Sequence, residues 1–272
     1  MADTYDVFDT PSNRTVVVAL DHGLNMGVLD GFEDPEATLR AVLAGGPDGV
    51  LVGPHFARRF ASLLDDAAVE VLLTADAALF STRPGQQTGD DVWTPAFSVP
   101  FLREFDPSGV KVALAFGRDD RRVFERNVAY VCELAEQLHG TGIPLVVEPV
   151  MWGRRVPDDR ATDPDLVANG ARLAWEYGAD VLKVPYTGSV ETFESIVDAA
   201  PVPVTILGGP SSGDPDGLLH TVADAVDAGA RGLVVGRSIW QTPDPERMVR
   251  ALTAVVHDGV APDDAWSAVR TA

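Results

Sequence analysis

Residues 178–207 read GADVLKVPYTGSVETFESIVDAAPVPVTIL. Gly178 stands where a helix ends, the run Val181–Val184 follows, and the apolar residues of Val190–Ala199 then recur at three and four. A second run, Val204–Leu207, closes the unit. Such spacing is strand, amphipathic helix, strand. Neither short run alternates apolar with polar, so both strands are buried on two faces, as parallel strands are. Outward from this unit the rhythm repeats. Further runs lie at Thr15–Leu20, Gly49–Val52, Val69–Leu73, Val110–Ala115, Leu145–Val147 and Gly232–Val235. Helical spacing fills Pro35–Leu43, Arg122–Leu138, Asp163–Tyr177 and Leu218–Ala228, with Pro245–Val256 as the last helix and Ala261–Val269 as an extension. Asp34-Pro35 and Asp163-Pro164 place a capping side chain before a proline suited to the first helical turn.

Eight strands alternating with helices predict an α/β fold, a (β/α)8 TIM barrel, with residues 1–272 as a single domain. A doubly wound open sheet would need a glycine-rich turn after the first strand. Leu20 is followed instead by Asp21-His22-Gly23-Leu24-Asn25. One stretch breaks the rhythm. The connection at 75–109, between the third and fourth strands, carries Pro84, Gly85, Gly89, Pro95, Pro100 and Pro107. A long βα connection lies at the catalytic end of a barrel.

The formal net charge is −20, from 21 Lys and Arg against 41 Asp and Glu. A surface of that sign repels nucleic acid and anionic lipid, which excludes both as partners. No run of eighteen apolar residues is long enough to span a membrane. A single cysteine, Cys132, allows no internal disulfide and suits the cytoplasm; it reads as a buried core thiol. Only Lys111 and Lys183 are lysines. Abundant aspartate with so little lysine points to adaptation to high salt, which screens carboxylate repulsion within a few Å.

Reactive groups of a barrel stand at the C-terminal ends of its strands. Those ends carry Asp21 and His22, His55, Glu148, Lys183, Gly208-Gly209 and Gly236-Arg237. Lys183 lies inside an apolar run, where a lysine is rare unless paired or functional. Desolvation there favours the free amine, the form that attacks a carbonyl. Asp21 reads as the base beside that amine, or as a cap for the following turn, and Glu148 as a further acid or base. His22 and His55 read as substrate contacts or as packing residues. Lys111, at the start of its strand, reads as a solvated residue at the opposite end of the barrel. The turns Gly208-Gly209-Pro210-Ser211 and Gly236-Arg237-Ser238 read as a phosphate site of backbone N–H groups completed by the Arg237 fork.

Four motifs in order resemble the archaeal-type class I fructose-bisphosphate aldolases. They are Val18-Ala19-Leu20-Asp21-His22-Gly23, Gly178 through Gly188, Gly208-Gly209-Pro210, and Val235-Gly236-Arg237-Ser238-Ile239-Trp240-Gln241. Relatives of that family include the 2-amino-3,7-dideoxy-D-threo-hept-6-ulosonate synthases and the thiolase of autoinducer-2 breakdown. The resemblance runs from about Val16 to Met248. It implies Lys183 as the Schiff-base lysine, Asp21 beside it, Gly209, Gly236 and Arg237 near a substrate phosphate, no cofactor beyond the covalent lysine imine, and a homo-oligomer, often of ten subunits. One departure is informative. Counting back from Lys183, Trp152 falls where the family's aldolases place a proton-donor tyrosine. Either Glu148, His55 or Tyr186 then supplies the acid, or the reaction differs from fructose bisphosphate cleavage, with Trp152 as an aromatic wall of the pocket.

The expected function is a class I aldolase acting on a phosphorylated sugar or ketone. A transaldolase-type synthase or an acyl-transferring thiolase on the same scaffold is the first rival. Metal-dependent aldol chemistry would recruit His22, His55 and Glu148, but their spacing carries no metal signature. A non-catalytic sugar-phosphate-binding protein is the rival from another class.

Overall fold

The computed structural model describes residues 5–79, 92–208 and 214–270. Ten strands are present among the described residues: β1 (Thr15–Ala19), β2 (Gly49–Val52), β3 (Glu70–Thr74), β4 (Asp76–Leu79), β5 (Val92–Pro95), β6 (Gly109–Ala115), β7 (Leu145–Val150), β8 (Val181–Pro185), β9 (Val204–Leu207) and β10 (Gly232–Val235). Eight of them close a parallel barrel in the order β1-β10-β9-β8-β7-β6-β3-β2, and the expected TIM barrel is what the chain forms. Twelve α-helices accompany them among the described residues. The first five are α1 (His22–Met26), α2 (Pro35–Ala44), α3 (Pro54–Arg59), α4 (Ala61–Ala67) and α5 (Val99–Arg103). The remainder are α6 (Arg121–Leu138), α7 (Pro164–Glu176), α8 (Val190–Ala199), α9 (Pro215–Asp227), α10 (Arg237–Trp240), α11 (Pro245–Asp258) and α12 (Pro262–Arg270).

The strands are buried because each carries apolar residues on both pleats. One set, including Val16, Val18, Val50, Val112, Val147 and Val184, packs outward against the helices. The alternate set, Val17, Ala19, Leu51, Leu72, Val146, Val181 and Val234, fills the barrel interior. A short 3-10 turn, Asp6–Phe8, joins Val7 and Phe8 to that inner set. Val16 donates its N–H to Asp48 Oδ2 at 2.6 Å and Leu145 to Asp180 Oδ2 at 2.8 Å. Those side chains satisfy backbone donors at the edge of the barrel that would otherwise be orphaned.

Helix starts follow the aspartate–proline signal. Asp34 accepts from the N–H groups of Glu36 and Ala37, and Asp163 from those of Asp165 and Leu166. Two more starts of the same kind, Asp214-Pro215 and Asp244-Pro245, cap α9 and α11. α9 therefore begins three residues before the Leu218 start that periodicity predicts. β7 also runs three residues past its expected end at Val147, so Glu148 lies inside the strand. Cys132 is half-buried, not a core thiol, because it sits on the flank of α6 between buried Val131 and exposed Glu133.

The connection at 75–109 has its own structure. β4 and β5 form an antiparallel pair, with Ala78 opposite Trp93, and α5 follows. The turn residues Pro84, Gly85 and Gly89 lie outside the described residues.

Candidate active site

Five ionisable side chains from five places in the chain meet inside the barrel mouth. Asp21 follows β1, Asp76 follows β3, Lys111 rises from β6, Glu148 from β7 and Lys183 from β8. All are buried, Lys111 to 4% exposure and Lys183 to 5%. Register explains the meeting. Ala113 lies opposite Glu148 and Val147 opposite Leu182, so Glu148 and Lys183 are next to each other on the inward face of β7 and β8. Glu148 Oε2 is 2.9 Å from Lys111 Nζ and 3.1 Å from Lys183 Nζ. Lys111 Nζ also lies 3.6 Å from Asp21 Oδ2 and 3.9 Å from Asp76 Oδ1.

Lys111 is thus placed otherwise than its position along the strand suggests. β6 begins one residue earlier than expected, and Lys111 is its third residue, opposite Thr74 and Val146. Its side chain points into the barrel, and its flexible stem carries the charge to the carboxylates at the mouth. Asp76 is a second residue that sequence reasoning missed. Its signal was available: it follows β3 as Asp21 follows β1. Expecting the third strand to end at Leu73 hid it in the turn-rich connection. Asp76 Oδ2 accepts from Trp93 Nε1 at 2.7 Å and from the Ala113 N–H at 2.9 Å, and Thr74 Oγ1 reaches Oδ1 at 3.3 Å.

The electrostatics follow from burial set against these pairs. Desolvation alone would raise Glu148, but Lys111 and Lys183 outweigh it and bring the carboxyl down to about 2. Desolvation alone would lower Lys111, yet Glu148, Asp76 and Asp21 hold it well above the ordinary lysine range. Burial pushes Asp76 up, opposed by Lys111 and by the N–H donors of Trp93 and Ala113. His22 goes the other way. Burial drops it to about 4 despite Asp21, whose Oδ1 is 3.5 Å from Nδ1. A neutral ring results, set edge-on against Trp240 at 5.4 Å between centroids.

A cavity of about 350 Å³ opens above this cluster, and Asp21, His22, Lys111, Glu148 and Lys183 all line it. Gly208, Gly236 and Arg237 line its side toward β9 and β10. Neither glycine has room for a side chain: a Cβ on Gly208 would lie 2.6 Å from Val235 Cγ1, and one on Gly236 2.5 Å from the Ala19 carbonyl oxygen. Arg237 Nε is buried without a hydrogen-bond partner, and burial lowers the guanidinium's pKa. Gly209, Pro210 and Ser211 lie outside the described residues. Trp152 lines the cavity on its other side, seated on Ala113, Ala115 and Val150.

Two expected contacts are not brought to the cavity. His55 is exposed on α3, edge-on to Phe97 at 5.8 Å, and borders a separate apolar groove. A proline-started helix directly after β2 turns its side chain away from the barrel axis. Tyr186 comes just after β8, one residue past the inward-facing Pro185. Its hydroxyl donates to Asp224 Oδ2 at 3.4 Å on α9, and burial with Asp224 pushes it up to about 12. Neither supplies a proton to a ligand in this cavity. Among the described residues no group of three or more His, Cys, Asp or Glu is disposed to hold a metal, and no helix is long and apolar enough to cross a membrane.

A closed parallel barrel with a buried amine and carboxylates at its mouth defines an enzyme of the lysine-dependent, class I aldolase type. Residues 15–242 match the DeoC/LacD family of aldolases, and the chain belongs to that family. It is 32% identical over 246 residues to an uncharacterised aldolase of Saccharolobus solfataricus, covering 90% of each chain. It is 34% identical over 257 residues to the 2-amino-3,7-dideoxy-D-threo-hept-6-ulosonate synthase of Halobacterium salinarum, covering 93% of this chain and 90% of that one. Among solved structures, a Schiff-base-forming fructose-1,6-bisphosphate aldolase superposes with a TM-score of 0.78 at 28% identity, over 92% of this chain and 96% of the other.

Proposed function

We propose that this aldolase acts on a phosphorylated ketose by fructose-bisphosphate-aldolase-type chemistry, with Lys183 as the imine-forming amine. The observation that carries the assignment is the difference between the two buried lysines. Lys111 lies within 4 Å of three carboxylates and is held charged. Lys183 pairs with Glu148 alone among the described residues. An amine locked among three carboxylates cannot give up its proton and has no lone pair to offer, so Lys111 is the fixed positive charge, and Lys183, with one carboxylate partner to take its proton, is the nucleophile.

The steps use groups already in place. The substrate phosphate sits against Arg237 and the glycine turns at Gly208 and Gly236. Lys183 Nζ adds to the ketone carbon. Glu148, ion-paired with Lys183 at the outset, takes up in turn the two protons that the nitrogen gives up on becoming the iminium and delivers both to the former ketone oxygen, which leaves as water. Glu148 or Asp21 then accepts the proton of the substrate hydroxyl. The carbon–carbon bond breaks, its electron pair passes into the iminium, and an aldehyde departs from an enamine. Protonation of the enamine carbon and addition of water release the ketone phosphate and restore Lys183. His22, held neutral, is a hydrogen-bonding group at the same wall. No cofactor is needed beyond the covalent lysine imine.

The Halobacterium relative's name favours a second reading on the same cluster, in which the Lys183 adduct passes to a different acceptor in a transaldolase-type synthesis. The acidic, lysine-poor composition supports a salt-adapted cytoplasmic enzyme, and the family resemblance supports a homo-oligomer, which sedimentation of the purified chain tests.

The chemical test is borohydride reduction in the presence of dihydroxyacetone phosphate, followed by peptide mass spectrometry. The expected result is one reduced adduct, on Lys183, absent from Lys183→Met. An adduct on Lys111, or none at all, overturns the assignment.

A further inference from the structure

The cavity has one cationic pole and one apolar pole. Three basic side chains line it: Lys111, Lys183 and Arg237. Lys111 is already shared among Glu148, Asp21 and Asp76. In the reading above, Lys183 becomes the imine. That leaves Arg237, with its buried Nε unpartnered, as the group able to meet a phosphate. The opposite wall is of another kind. Val150, Met151 and Trp152, at and after the end of β7 three strands away from β10, line it with Ala161 and Thr162, and no further Lys or Arg lines the cavity among the described residues. Trp152 packs on the inward-facing Ala113 and Ala115, a half-buried ring that also borders the cavity.

A ketose held by its phosphate at Arg237 and by its carbonyl carbon at Lys183 directs its remaining carbons toward this wall. A second phosphate there would lie on tryptophan and methionine, with the carboxylates of Asp21 and Glu148 nearby. A buried dianion without a partner is strongly disfavoured, and like charges sharpen the rejection. An apolar group gains by leaving water for the same surface, and a flat one gains by stacking.

From this two-pole cavity, which rests on the aldolase reading given above, we infer that the aldehyde partner of the reaction is uncharged and carries an apolar substituent packed on Trp152. In the synthetic direction the enamine carbon of the Lys183 adduct attacks the aldehyde carbon and a carbon–carbon bond forms. The aldehyde oxygen takes a proton from the acid at Glu148 or Asp21. Water then hydrolyses the iminium, freeing a monophosphorylated ketol and the Lys183 amine.

The test uses the purified full chain with dihydroxyacetone phosphate and a panel of acceptors: propanal, 2-methylpropanal and phenylacetaldehyde against glycolaldehyde phosphate and D-glyceraldehyde 3-phosphate. The expected kcat/KM is at least about tenfold higher for the best apolar acceptor than for either phosphorylated one, the scale on which apolar pockets discriminate. A ratio below about threefold overturns the inference. Absence of turnover with every acceptor, while borohydride still traps dihydroxyacetone phosphate on Lys183, overturns the inference and leaves the aldolase reading standing. Failure of that trapping overturns both. In Trp152→Ala the preference ratio is expected to fall about tenfold, and in Trp152→Phe to stay within about threefold of the parent. The ratio is taken on one protein sample, so partial unfolding cancels. An unchanged ratio in Trp152→Ala overturns the role given to that ring.

Discussion

His22 sits where opposing demands meet. Burial removes water from the imidazole and disfavours its charged form, while Asp21 favours it and Arg237 and Lys183 oppose it. Burial wins, and the pKa falls from 6.5 to about 4. A pKa lower in the folded state than in the unfolded chain gives stability that is complete above the unfolded value and is lost as pH falls through the folded one. The window for His22 is therefore pH 6.5 down to about 4. Glu148 has the same sign but lies lower, between 4.5 and about 2, because its two lysines hold it ionised. Unfolding free energy is expected to drop by about 3 kcal/mol between pH 7 and 4 on account of His22. Urea titrations at several pH values check this, and His22→Asn should flatten the decline. An equally steep decline in that variant would show that another group carries it.

At the scale of elements, the β4–β5 pair is knitted to the catalytic face. Trp93 on β5 donates to Asp76, which in turn faces Lys111. The Ala78 N–H donates to Asn25 Oδ1 at the end of α1 at 3.0 Å, and the Tyr130 hydroxyl on α6 donates to the Phe97 carbonyl at 2.6 Å. The pair is thus a brace for the second lysine. Removing one donor leaves a buried carboxylate oxygen short of a partner, which costs more than the bond itself contributes. Trp93→Phe keeps an aromatic side chain but removes that donor together with part of the buried ring. It is expected to destabilise the chain by about 2 kcal/mol, measured by chemical denaturation. A loss under about 0.5 kcal/mol would show that Asp76 finds another partner and that the brace does not depend on this bond.

Over the whole molecule, charge dominates. The excess of 20 negative charges is met by local pairs such as Arg40–Glu36, Arg121–Glu125 and Arg250–Glu246, each one helical turn apart and exposed. Pairs of that kind contribute only about 0.3–0.5 kcal/mol each. They leave long-range repulsion unanswered, whereas added salt shortens the range of that repulsion from about 10 Å at 0.1 M to about 3 Å at 1 M. Raising potassium chloride over that range is expected to lift the melting midpoint by roughly 5 °C for a chain of this size. A flat or falling midpoint in thermal scans would mean that net repulsion is not what limits its stability.

The barrel was readable from the chain because its causes are local and periodic. Paired apolar runs such as Val181–Val184 and Val204–Leu207 cannot sit in a one-faced sheet, and Asp163-Pro164 marks a helix start without help from its neighbours. Lys183, Asp21 and Glu148 were readable too, since a charged residue at the end of a buried strand has few other reasons to be there. What the linear order could not convey was height and direction inside the closed barrel. Lys111 and Asp76 look peripheral along the chain, yet the inward pleat and a long side chain bring them to the mouth. His55 and Tyr186 look central, yet a helix start and a one-residue step turn them away. Those outcomes depend on inter-strand register and on which face of a strand is inward, and only the closed barrel sets either.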